Sequence, residues 1–376
     1  MTALDCLDTP ALILDRATLK RNTSAMIRRM ARHRVALRPH VKTAKSANVA
    51  LLATEGQSGG VTVSTLKEAE YFVSRGFPDV LYAVGIVPAK LDRVASLQRA
   101  GAHITIITDN ISVGTAIAER ANRGDAQFRV MIEVDTGGHR AGVAPASDEL
   151  LAIGRLLHLA DGVEFAGVLT HSGNSYHCNS VEEIKAAARQ ERDGIVRAAE
   201  RLQAAGIPCP VVSAGSTPTA VHAEDLTGIN EMRPGVYVFF DLDQLALGVC
   251  QREDLALSVL ASVIGHNLRA GHLLIDAGAL ALSKDLSATE FRPDVGYGEL
   301  CDPKTLVPYP GLFVGGAHQE HGIVPVADQT WFERLPVGAR VRILPNHACI
   351  TAAAYDHYQV IEDGAVVGEW ERINGW

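Results

Sequence analysis

A strand, a helix and a second strand follow one another between residues 164 and 216, and this unit decides the fold. Its segments are EFAGVLTH (164–171), EEIKAAARQERDGIVRAAERLQAAG (182–206) and PVVSAGS (210–216). In the middle segment apolar residues recur with the spacing of one helix face, and Gly206 is placed to end the helix. The outer segments are almost continuously apolar, as strands buried on both faces are. The unit therefore predicts two parallel strands joined by a helix.

The same alternation extends outward from residue 15 to about 240, with helix-period segments such as ATLKRNTSAMIRRMARH (17–33) between apolar runs. The eight strand-like runs are VALRPHV (35–41), GVTVST (60–65), VLYAVG (80–85), HITIITD (103–109), FRVMIEVD (128–135), EFAGVLTH, PVVSAGS and INEMRPG (229–235). Eight consecutive βα units predict a (β/α)8 TIM barrel of the α/β class. An open doubly wound sheet is the alternative, but the first unit lacks the GxGxxG turn typical of that fold.

The pattern changes after Cys250. Strand-like runs joined by Gly, Pro and Asp turns follow, among them LALSVLASVIGH, HLLIDAGALALS, ARVRILPNHACI and AVVGEWERI. They predict a second, mostly antiparallel β domain. We expect residues 15–250 to form the barrel and residues 251–376 the β domain, to which residues 1–14 add a strand through TPALILD.

The composition argues against several classes of protein. The chain of 376 residues has a net charge of −8 and no basic block, which disfavours a nucleic-acid partner. The N-terminal segment does not resemble a signal peptide, and no apolar run is long enough to span a membrane. The six cysteines show no CxxC spacing, which favours reduced thiols and a cytoplasmic location.

Polar residues fall at the predicted carboxyl ends of the barrel strands. Because the active sites of such barrels are built at this end, residues distant in sequence should meet at one mouth. In chain order these residues are His40, Lys42, Ser64, Glu133, Asp135, Arg140, Thr170, His171, Tyr176, Gly215, Ser216, Thr217, Arg233, Gly235 and Tyr237. Their positions predict where the active site lies.

The seventh strand runs into SAGSTPTA (213–220), a turn of small and hydroxyl side chains that opens a helix. Backbone N–H groups and hydroxyls in such a turn bind anions, and the loops after strands 7 and 8 of a barrel commonly hold phosphate. Taken alone, such a turn is more often only a helix N-cap. Its position after strand 7 favours a phosphate site, to which Gly235 in RPGVY (233–237) adds a second glycine turn.

Lys42 follows the first strand, within LRPHVKTAKS (37–46). A lysine that faces a phosphate site across the mouth is placed to form a Schiff base with pyridoxal phosphate. Arg38 and His40, next to a partly desolvated amine, would lower its pKa, as a nucleophile requires. A solvated lysine at a strand end is the ordinary alternative. Lys45, which we expect in the following helix, is the competing candidate.

Two further residues have a possible role beside such a cofactor. Arg140, in DTGGHRAGV (135–143), could hydrogen-bond the pyridine nitrogen and keep it unprotonated, which makes the ring a weaker electron sink. A surface arginine in a glycine-rich loop is the ordinary alternative. His171 could stack on the cofactor ring, and a core histidine at that position is nearly as common.

PNHACIT (345–351) places His347 and Cys349 two positions apart. On an extended strand the two side chains share a face, so that an imidazole nitrogen and a thiolate could hold one divalent cation. The pair alone is a weak signal, because about 0.2 such pairs arise by chance in a chain of this composition. The pair becomes a stronger candidate for a metal site if the second domain places it at the barrel mouth of the same chain or of a partner chain.

Taken together, RPHVKT, DTGGHRAGV, VLTHSG, GSTPTA, RPGVYVFFD, QEHGI and PNHACIT resemble the D-serine dehydratase and D-threonine aldolase family, over nearly the whole chain. Its members are fold-type III pyridoxal phosphate enzymes with an alanine-racemase-like barrel and a C-terminal β domain. The resemblance implies a homodimeric, metal-dependent lyase that releases ammonia from a D-3-hydroxy amino acid. The first candidate substrate is D-threo-3-hydroxyaspartate, giving oxaloacetate, and the second is D-serine, giving pyruvate. D-Threonine aldolase activity is a further alternative.

The resemblance also carries roles to individual residues. It implies that Lys42 is the Schiff-base lysine and that His347 and Cys349 are catalytic metal ligands, for zinc or manganese or else cobalt, nickel or magnesium. The other cofactor-binding residues that it implies are His40, Ser64, Arg140, His171, Tyr176, Gly215, Ser216, Thr217, Gly235 and Tyr237. The aldolase branch has Asp where Cys349 stands, so the thiolate favours dehydration.

Two rival functions belong to the same barrel. A pyridoxal phosphate carrier without catalytic activity is the non-enzyme alternative, but such carriers lack a second domain, so the residues after Cys250 weigh against it. An alanine racemase is the other, and it would need no metal. For the second carboxylate of a hydroxyaspartate substrate, the candidate partners are Arg38, His318 and His321.

Overall fold

The computed structural model describes residues 3–57, 60–138 and 140–376. Met1 and Thr2 of the predicted N-terminal segment and His139 of DTGGHRAGV therefore lie outside the described residues. The strands are β1 (Ala11–Asp15), β2 (Ala36–Leu37), β3 (Val61–Val63), β4 (Asp79–Gly85), β5 (His103–Thr108), β6 (Phe128–Glu133), β7 (Val163–Leu169), β8 (Val211–Ala214), β9 (Glu231–Met232), β10 (Leu257–Asn267), β11 (His272–Ile275), β12 (Glu299–Cys301), β13 (Pro308–Phe313), β14 (Gly316–Ala317), β15 (Gly322–Pro325), β16 (Arg340–Leu344), β17 (His357–Glu362) and β18 (Ala365–Glu371). The α-helices are α1 (Arg16–His33), α2 (Ala47–Ala53), α3 (Leu66–Ser74), α4 (Leu91–Arg99), α5 (Ile111–Ala121), α6 (Asp148–Leu159), α7 (Val181–Ala204), α8 (Thr217–His222), α9 (Leu242–Ala246), α10 (Ala279–Leu282), α11 (Thr330–Arg334) and α12 (Ala348–Ala352).

The chain divides into two compact units. The barrel unit comprises Ala25–Gly235 with Gly375–Trp376, and the β unit comprises Met1–Ser24 with Val236–Asn374. The sequence pattern predicts the domain boundaries at residues 14–15 and 250–251 instead. The chain thus passes between the units within α1 and just after Gly235.

Within the described residues, eight parallel strands form the sheet of the barrel unit, in the order β2-β9-β8-β7-β6-β5-β4-β3. A parallel bridge between His40 and Thr62 joins the two ends of this order. Each of the eight apolar runs of the sequence coincides with one of these strands, although β4 and β7 each begin one residue before the run. The predicted (β/α)8 architecture is therefore confirmed, and it brings the carboxyl ends of all eight strands to one side of the unit.

The strands β2 and β9 are only two residues long, although the sequence predicts longer runs there. Pro39 and Pro234 lie just beyond them, and proline has no N–H to donate to a ladder. Pairing continues irregularly, since the His40 N–H donates to the Pro234 carbonyl at 2.9 Å. The chain then leaves the sheet and turns, and Lys42 lies in that turn.

The barrel helices begin where the sequence provides an N-cap. Thr65, Ser147 and Ser180 each accept a hydrogen bond from the backbone N–H three residues later, at the starts of α3, α6 and α7. Such caps satisfy donors of the first helical turn and contribute about 1 kcal/mol each. They fix where each loop from a strand end enters its helix. Among the described residues, no helix has the length and apolar character needed to cross a membrane.

The β unit contains the remaining strands. Its main path runs β13-β12-β16-β10-β1-β17-β18, and β11, β14 and β15 extend from β10. Its ladders are antiparallel except for β1 with β17, so the predicted mostly antiparallel second domain is confirmed. As expected of the TPALILD run, β1 pairs with strands of this unit, β10 and β17.

The extended strand predicted around His347 and Cys349 is wrong. Strand β16 ends at Leu344, His347 is the N-cap of α12, and Cys349 lies in the first turn of that helix. Pro345 ends the ladder because it has no N–H to donate. The two side chains are thus presented by a helix start and not by alternation along a strand.

Candidate active site

The turns after the first two barrel strands bring three predicted site residues together. Lys42 has an exposed side chain, and its backbone N–H lies 3.4 Å from Nδ1 of His40. Nε2 of the same ring lies 3.5 Å from the hydroxyl of Ser64, which follows β3. Lys42, His40 and Ser64 therefore occupy the carboxyl ends of neighbouring strands, β2 and β3.

Nearby cations lower the pKa values of the two histidines at the mouth, His40 and His171. Desolvation, together with the nearby charges of Lys42, Arg140 and Arg233, lowers the pKa of His171 to about 3. Desolvation and the same three cations also lower the pKa of His40 well below its usual value. Both imidazoles are therefore neutral near pH 7. Residues that follow β2, β6, β7 and β9 thus act on one another across a single mouth.

Lys45 does not lie in the helix predicted for it. It precedes α2, with a φ of 48°, and its Nζ lies 3.1 Å from Oε1 of Glu68. The Glu68 side chain is only 1% exposed, and a buried carboxylate that loses its cation is strongly destabilising. Lys45 is therefore committed to a structural ion pair, which leaves Lys42 as the candidate amine.

The backbone conformation of the predicted phosphate turn requires a glycine at position 215. Gly215 has a φ of 128°, and a Cβ there would lie 2.8 Å from the backbone nitrogen of Arg233. Ser216 caps α8 and accepts the N–H of Thr219, whose hydroxyl accepts the Ser216 N–H in return. The turn thus forms a helix N-cap, which is the ordinary alternative to a phosphate site. The Thr217 N–H points towards the hydroxyl of Tyr176 at 3.5 Å, so an anion could replace this long contact.

His171 joins the loop after β7 to this turn. Its Nδ1 lies 2.9 Å from the carbonyl oxygen of Gly215. Because a carbonyl only accepts, Nδ1 carries the proton and Nε2 is the unprotonated nitrogen. The ring of Tyr176 lies 6.3 Å away at an interplanar angle of 43°, so the two rings do not stack on each other.

Arg140 lies beyond β6 with a mostly exposed side chain, and its guanidinium is 3.8 Å from Oε1 of Glu133. Burial raises the pKa of Glu133, and the charge of Arg140 opposes that shift. Asp135 accepts the backbone N–H groups of Gly137 and Gly138, so it shapes the loop. Of Glu133, Asp135 and Arg140, only Arg140 has an exposed side chain.

Two other predicted mouth residues have structural partners. Arg233 is buried and donates to the hydroxyl of Ser213 and, at 2.6 Å, to the carbonyl of Thr170, so it joins β7 to β8. Gly235 lies against His40, whose carbonyl oxygen would be 2.9 Å from an added Cβ. Tyr237 is fully buried and belongs to the β unit.

Arg38 does not lie at the mouth. Its Nε is 2.6 Å from Glu231, and its other two nitrogens are 3.0 and 2.8 Å from Asp79. These carboxylates belong to the first residues of β9 and β4, so Arg38 points towards the amino ends of the strands. Its guanidinium is fully paired and is no candidate for a second substrate carboxylate. His318 and His321 flank the turn between β14 and β15 in the β unit and stay candidates.

Replacing Arg38 by alanine should destabilise the protein by about 2–3 kcal/mol, because it leaves two partly buried carboxylates without their cation. The ratio of kcat/KM values between different substrates should not change. Arg93→Ala is the matched control, since the Arg93–Glu70 pair is exposed and contributes less than about 1 kcal/mol. Denaturant unfolding and kinetics on two substrates test this. A changed substrate preference in Arg38→Ala would place Arg38 in the site after all.

The predicted metal ligands lie in the β unit. His347 and Cys349 form a side-chain hydrogen bond with each other, and Nδ1 of His347 lies 2.7 Å from Oδ2 of Asp285. A carboxylate on one ring nitrogen orients the other towards a metal in many metal sites. Among the described residues, no three His, Cys, Asp or Glu side chains are grouped to hold a metal ion. A metal ion bound by His347 and Cys349 would therefore need further ligands, such as water or substrate.

The surroundings of this pair favour a cation. Burial and the neighbouring Asp241 raise the pKa of Asp243 to about 7, and burial raises the pKa of Asp241 as well. The charge of His347 opposes both shifts. Acidic groups crowded into a desolvated region are stabilised by a positive charge. An imidazole and a thiolate beside them suit a divalent transition ion such as zinc.

Two carboxylates that contact predicted site residues or their neighbours, Asp285 and Glu191, are missing from the site predicted by sequence. Asp285 contacts His347 across 62 residues of sequence, and no motif marks it. Glu191 is 2% exposed and lies on the apolar face of α7 that includes Ile184 and Ile195. A charged residue on the buried face of an amphipathic helix is the signal that could have identified Glu191.

A barrel with a lysine and a turn of glycine and hydroxyl residues at its mouth, followed by a β domain, is the arrangement found in pyridoxal phosphate enzymes with the alanine racemase fold. Residues 14–243 match the family model of the alanine racemase N-terminal domain. Residues 256–361 match that of the putative serine dehydratase domain. The chain belongs to the alanine racemase-like family of D-serine dehydratases and D-threonine aldolases.

Several relatives match over almost the full length. D-threo-3-hydroxyaspartate dehydratase from Delftia sp. (strain HT23) is 48% identical over 375 residues, which is 98% of both chains. D-serine dehydratase from Dictyostelium discoideum is 30% identical over 98% of both chains. The solved structure of the Delftia enzyme has a TM-score of 0.97 at 47% identity, with both chains fully covered. A further structure is a cysteine-to-alanine mutant of D-threo-3-hydroxyaspartate dehydratase in the metal-free form, with a TM-score of 0.96, 46% identity and full coverage of both chains.

Proposed function

We propose that this protein is a lyase that uses pyridoxal phosphate and a divalent metal to convert D-threo-3-hydroxyaspartate into oxaloacetate and ammonia. The observation that carries the proposal is the 48% identity with the Delftia dehydratase over 98% of both chains. The pairing of His347 with a cysteine supports dehydration, because the family resemblance implies Asp at that position in the aldolase branch. A homodimer is proposed on the family resemblance, and light scattering of the holoenzyme tests it.

The residues at the barrel mouth fit pyridoxal phosphate. The amine of Lys42 would hold it covalently, and Ser216 and Thr217 would bind its phosphate at the turn that the glycines keep open. Arg140 would donate to the pyridine nitrogen and His171 would lie against the ring. The other residues proposed to contact it are His40, Ser64, Tyr176, Gly215, Gly235 and Tyr237. When bound, the cofactor supplies an electron-withdrawing ring for the α-carbon of the substrate.

Lys42 is the proposed base for the α-proton. Its Nζ would be the atom that takes the proton from the α-carbon of the substrate. Neutral His40 and His171 do not compete for the proton, because their pKa values are far below 7. The same low values keep both rings uncharged beside the cations of the mouth, so they add no further positive charge.

His347 and Cys349 are the proposed metal ligands, with Asp285 holding the ring of His347. A divalent ion held there would supply a Lewis acid for departure of the β-hydroxyl group. This contribution matters most where the cofactor ring is a weak electron sink, as an Arg140 contact to the pyridine nitrogen would make it. A solved relative described as a metal-free form supports the proposal that members of this family bind a metal.

A substrate panel tests the proposal. We expect ammonia release from D-threo-3-hydroxyaspartate with a kcat/KM about 100-fold above that for D-serine, since a site built for a second carboxylate leaves polar groups unpaired with D-serine. The products to be measured are oxaloacetate and pyruvate. Faster pyruvate formation from D-serine would make the protein a D-serine dehydratase instead. Glycine and acetaldehyde from D-threonine would make it an aldolase.

Two rivals are distinguished by the same preparation. A pyridoxal phosphate carrier would release no ammonia from any member of the panel. An alanine racemase would interconvert the alanine enantiomers and keep its full rate in the presence of a chelator. The match of residues 256–361 to the putative serine dehydratase domain supports neither rival.

A further inference from the structure

A buried carboxylate lies directly behind the proposed phosphate turn. Glu191 on α7 is 2% exposed, and its Oε1 accepts two backbone hydrogen bonds. One comes from the N–H of Ser172 at 2.9 Å and the other from the N–H of Gly215 at 3.0 Å. Ser172 follows His171 in the chain, and Gly215 begins the phosphate turn. A single oxygen atom therefore joins the loop after β7 to the loop after β8.

A second connection passes through Thr219. The hydroxyl of Thr219 forms a hydrogen bond with Glu191 and accepts the N–H of Ser216 at 3.1 Å. Glu191 thus accepts the backbone N–H of Gly215 directly. It also holds the hydroxyl of Thr219, which accepts the N–H of Ser216. The N–H of Thr217, the next residue of the turn, lies 3.5 Å from the hydroxyl of Tyr176. The hydrogen bonds of Glu191 and Thr219 to the turn consequently fix the direction in which it faces an anion.

Burying the carboxylate of Glu191 costs free energy. An apolar side chain could fill the same space without that cost. Burial raises the pKa of Glu191, and the hydrogen bonds from Thr219, Gly215 and Ser172 oppose that shift. A second anion at the turn would add repulsion to this cost. An apolar side chain of similar size would avoid both effects, but it would leave the N–H groups of Ser172 and Gly215 without acceptors. The carboxylate is thus suited to fixing backbone geometry.

We propose that Glu191 is a positioning residue that sets the phosphate turn and the His171 loop in one geometry. The inference rests on the proposed function, because it takes the anion at the turn to be the phosphate of the cofactor. Glu191 itself touches neither cofactor nor substrate in this proposal. It acts through Gly215, Thr219 and Ser172.

Four variants of the full chain test the proposal. Glu191→Ala removes the acceptor, whereas Glu191→Gln keeps an oxygen for both N–H groups and an amide for Thr219. Glu191→Asp keeps the charge but withdraws the carboxylate by one methylene, and it replaces the alanine variant if that protein does not fold. Glu183→Ala is the matched control, since Glu183 lies on the same helix and its exposed carboxylate also accepts a backbone N–H, that of Asn179.

The first measurement is binding of pyridoxal phosphate and of pyridoxal, which lacks the phosphate. We expect Glu191→Ala, and to a lesser degree Glu191→Asp, to weaken binding of pyridoxal phosphate by about 10- to 100-fold. Binding of pyridoxal should change less than about threefold. Glu191→Gln and Glu183→Ala should bind both compounds like the unmodified protein. Equal weakening for both compounds, or no weakening for either, would overturn the proposal.

The second measurement needs no cofactor and separates the two proposals. Hydrogen exchange of the backbone amides of Ser172 and Gly215 should accelerate in Glu191→Ala and stay slow in Glu191→Gln. If the unmodified protein binds no pyridoxal phosphate, the proposed function fails. Unchanged exchange in every variant would instead show that Glu191 does not hold these loops.

Discussion

Replacing Lys42 by alanine is expected to lower kcat by at least about 1,000-fold, since in the proposed function this one side chain supplies both the covalent attachment and the base. The visible absorbance of the lysine-bound cofactor should disappear at the same time. The loss follows from the structure because Lys45, the neighbouring amine, is bound to buried Glu68 and cannot substitute. Absorbance spectra and ammonia release measure the two effects.

Lys45→Ala is the matched control for this experiment. It removes a lysine three positions along the chain, and the variant should keep the visible absorbance in the fraction of protein that folds. A Lys42→Ala protein with an unchanged spectrum would show that the amine lies elsewhere. Loss of the spectrum in Lys45→Ala alone would transfer the role to Lys45.

Removal of the metal is expected to lower kcat by about 100- to 1,000-fold while the cofactor stays bound, because a Lewis acid contributes several kcal/mol to departure of a hydroxyl group. Treatment with a chelator and the Cys349→Ala substitution should have the same effect. Added zinc or manganese should restore the chelated protein but not the variant. Turnover and visible absorbance are measured together, since only turnover should fall.

Cys6→Ala is the control for loss of a thiol, because Cys6 is exposed and belongs to the same unit as Cys349. It should leave both metal content and turnover unchanged. Full turnover after complete removal of metal would contradict the proposed ligands and favour a metal-independent reaction. A loss of cofactor absorbance on chelation would show that the metal serves the fold and not the reaction.

The barrel could be predicted from the sequence because its signal is repeated. Each of the eight strands is buried on both faces and leaves an apolar run, and a helix pattern separates it from the next. The same regularity predicts that polar residues such as Lys42 and His171, which follow different strands, meet at one mouth. The lengths of β2 and β9 were less predictable, since a proline within an apolar run ends pairing without ending the run.

Local conformation limited what the sequence could indicate about individual side chains. A strand pattern suggested that His347 and Cys349 share one face, whereas Pro345 ends the ladder and a helix begins at Ala348, with His347 as its N-cap. Arg38 follows β2 as Lys42 does, yet its guanidinium points to carboxylates at the amino ends of other strands. Which direction a side chain takes along a barrel depends on partners far away in sequence.

The carboxylates that contact residues in or next to the predicted site were the least predictable part. Glu191 contacts residues 19 and 24 positions away, and Asp285 contacts one 62 positions away. Neither contact follows a fixed spacing, because loops of variable length connect the elements involved. Only the burial of Glu191 on an apolar helix face left a trace in the sequence.

A crystal structure of the holoenzyme tests the central claim most directly. We predict continuous electron density between the cofactor and Nζ of Lys42, with the phosphate oxygens within hydrogen-bond distance of Ser216 and the backbone N–H of Thr217. Attachment to any other lysine, or a phosphate bound away from that turn, would contradict the account.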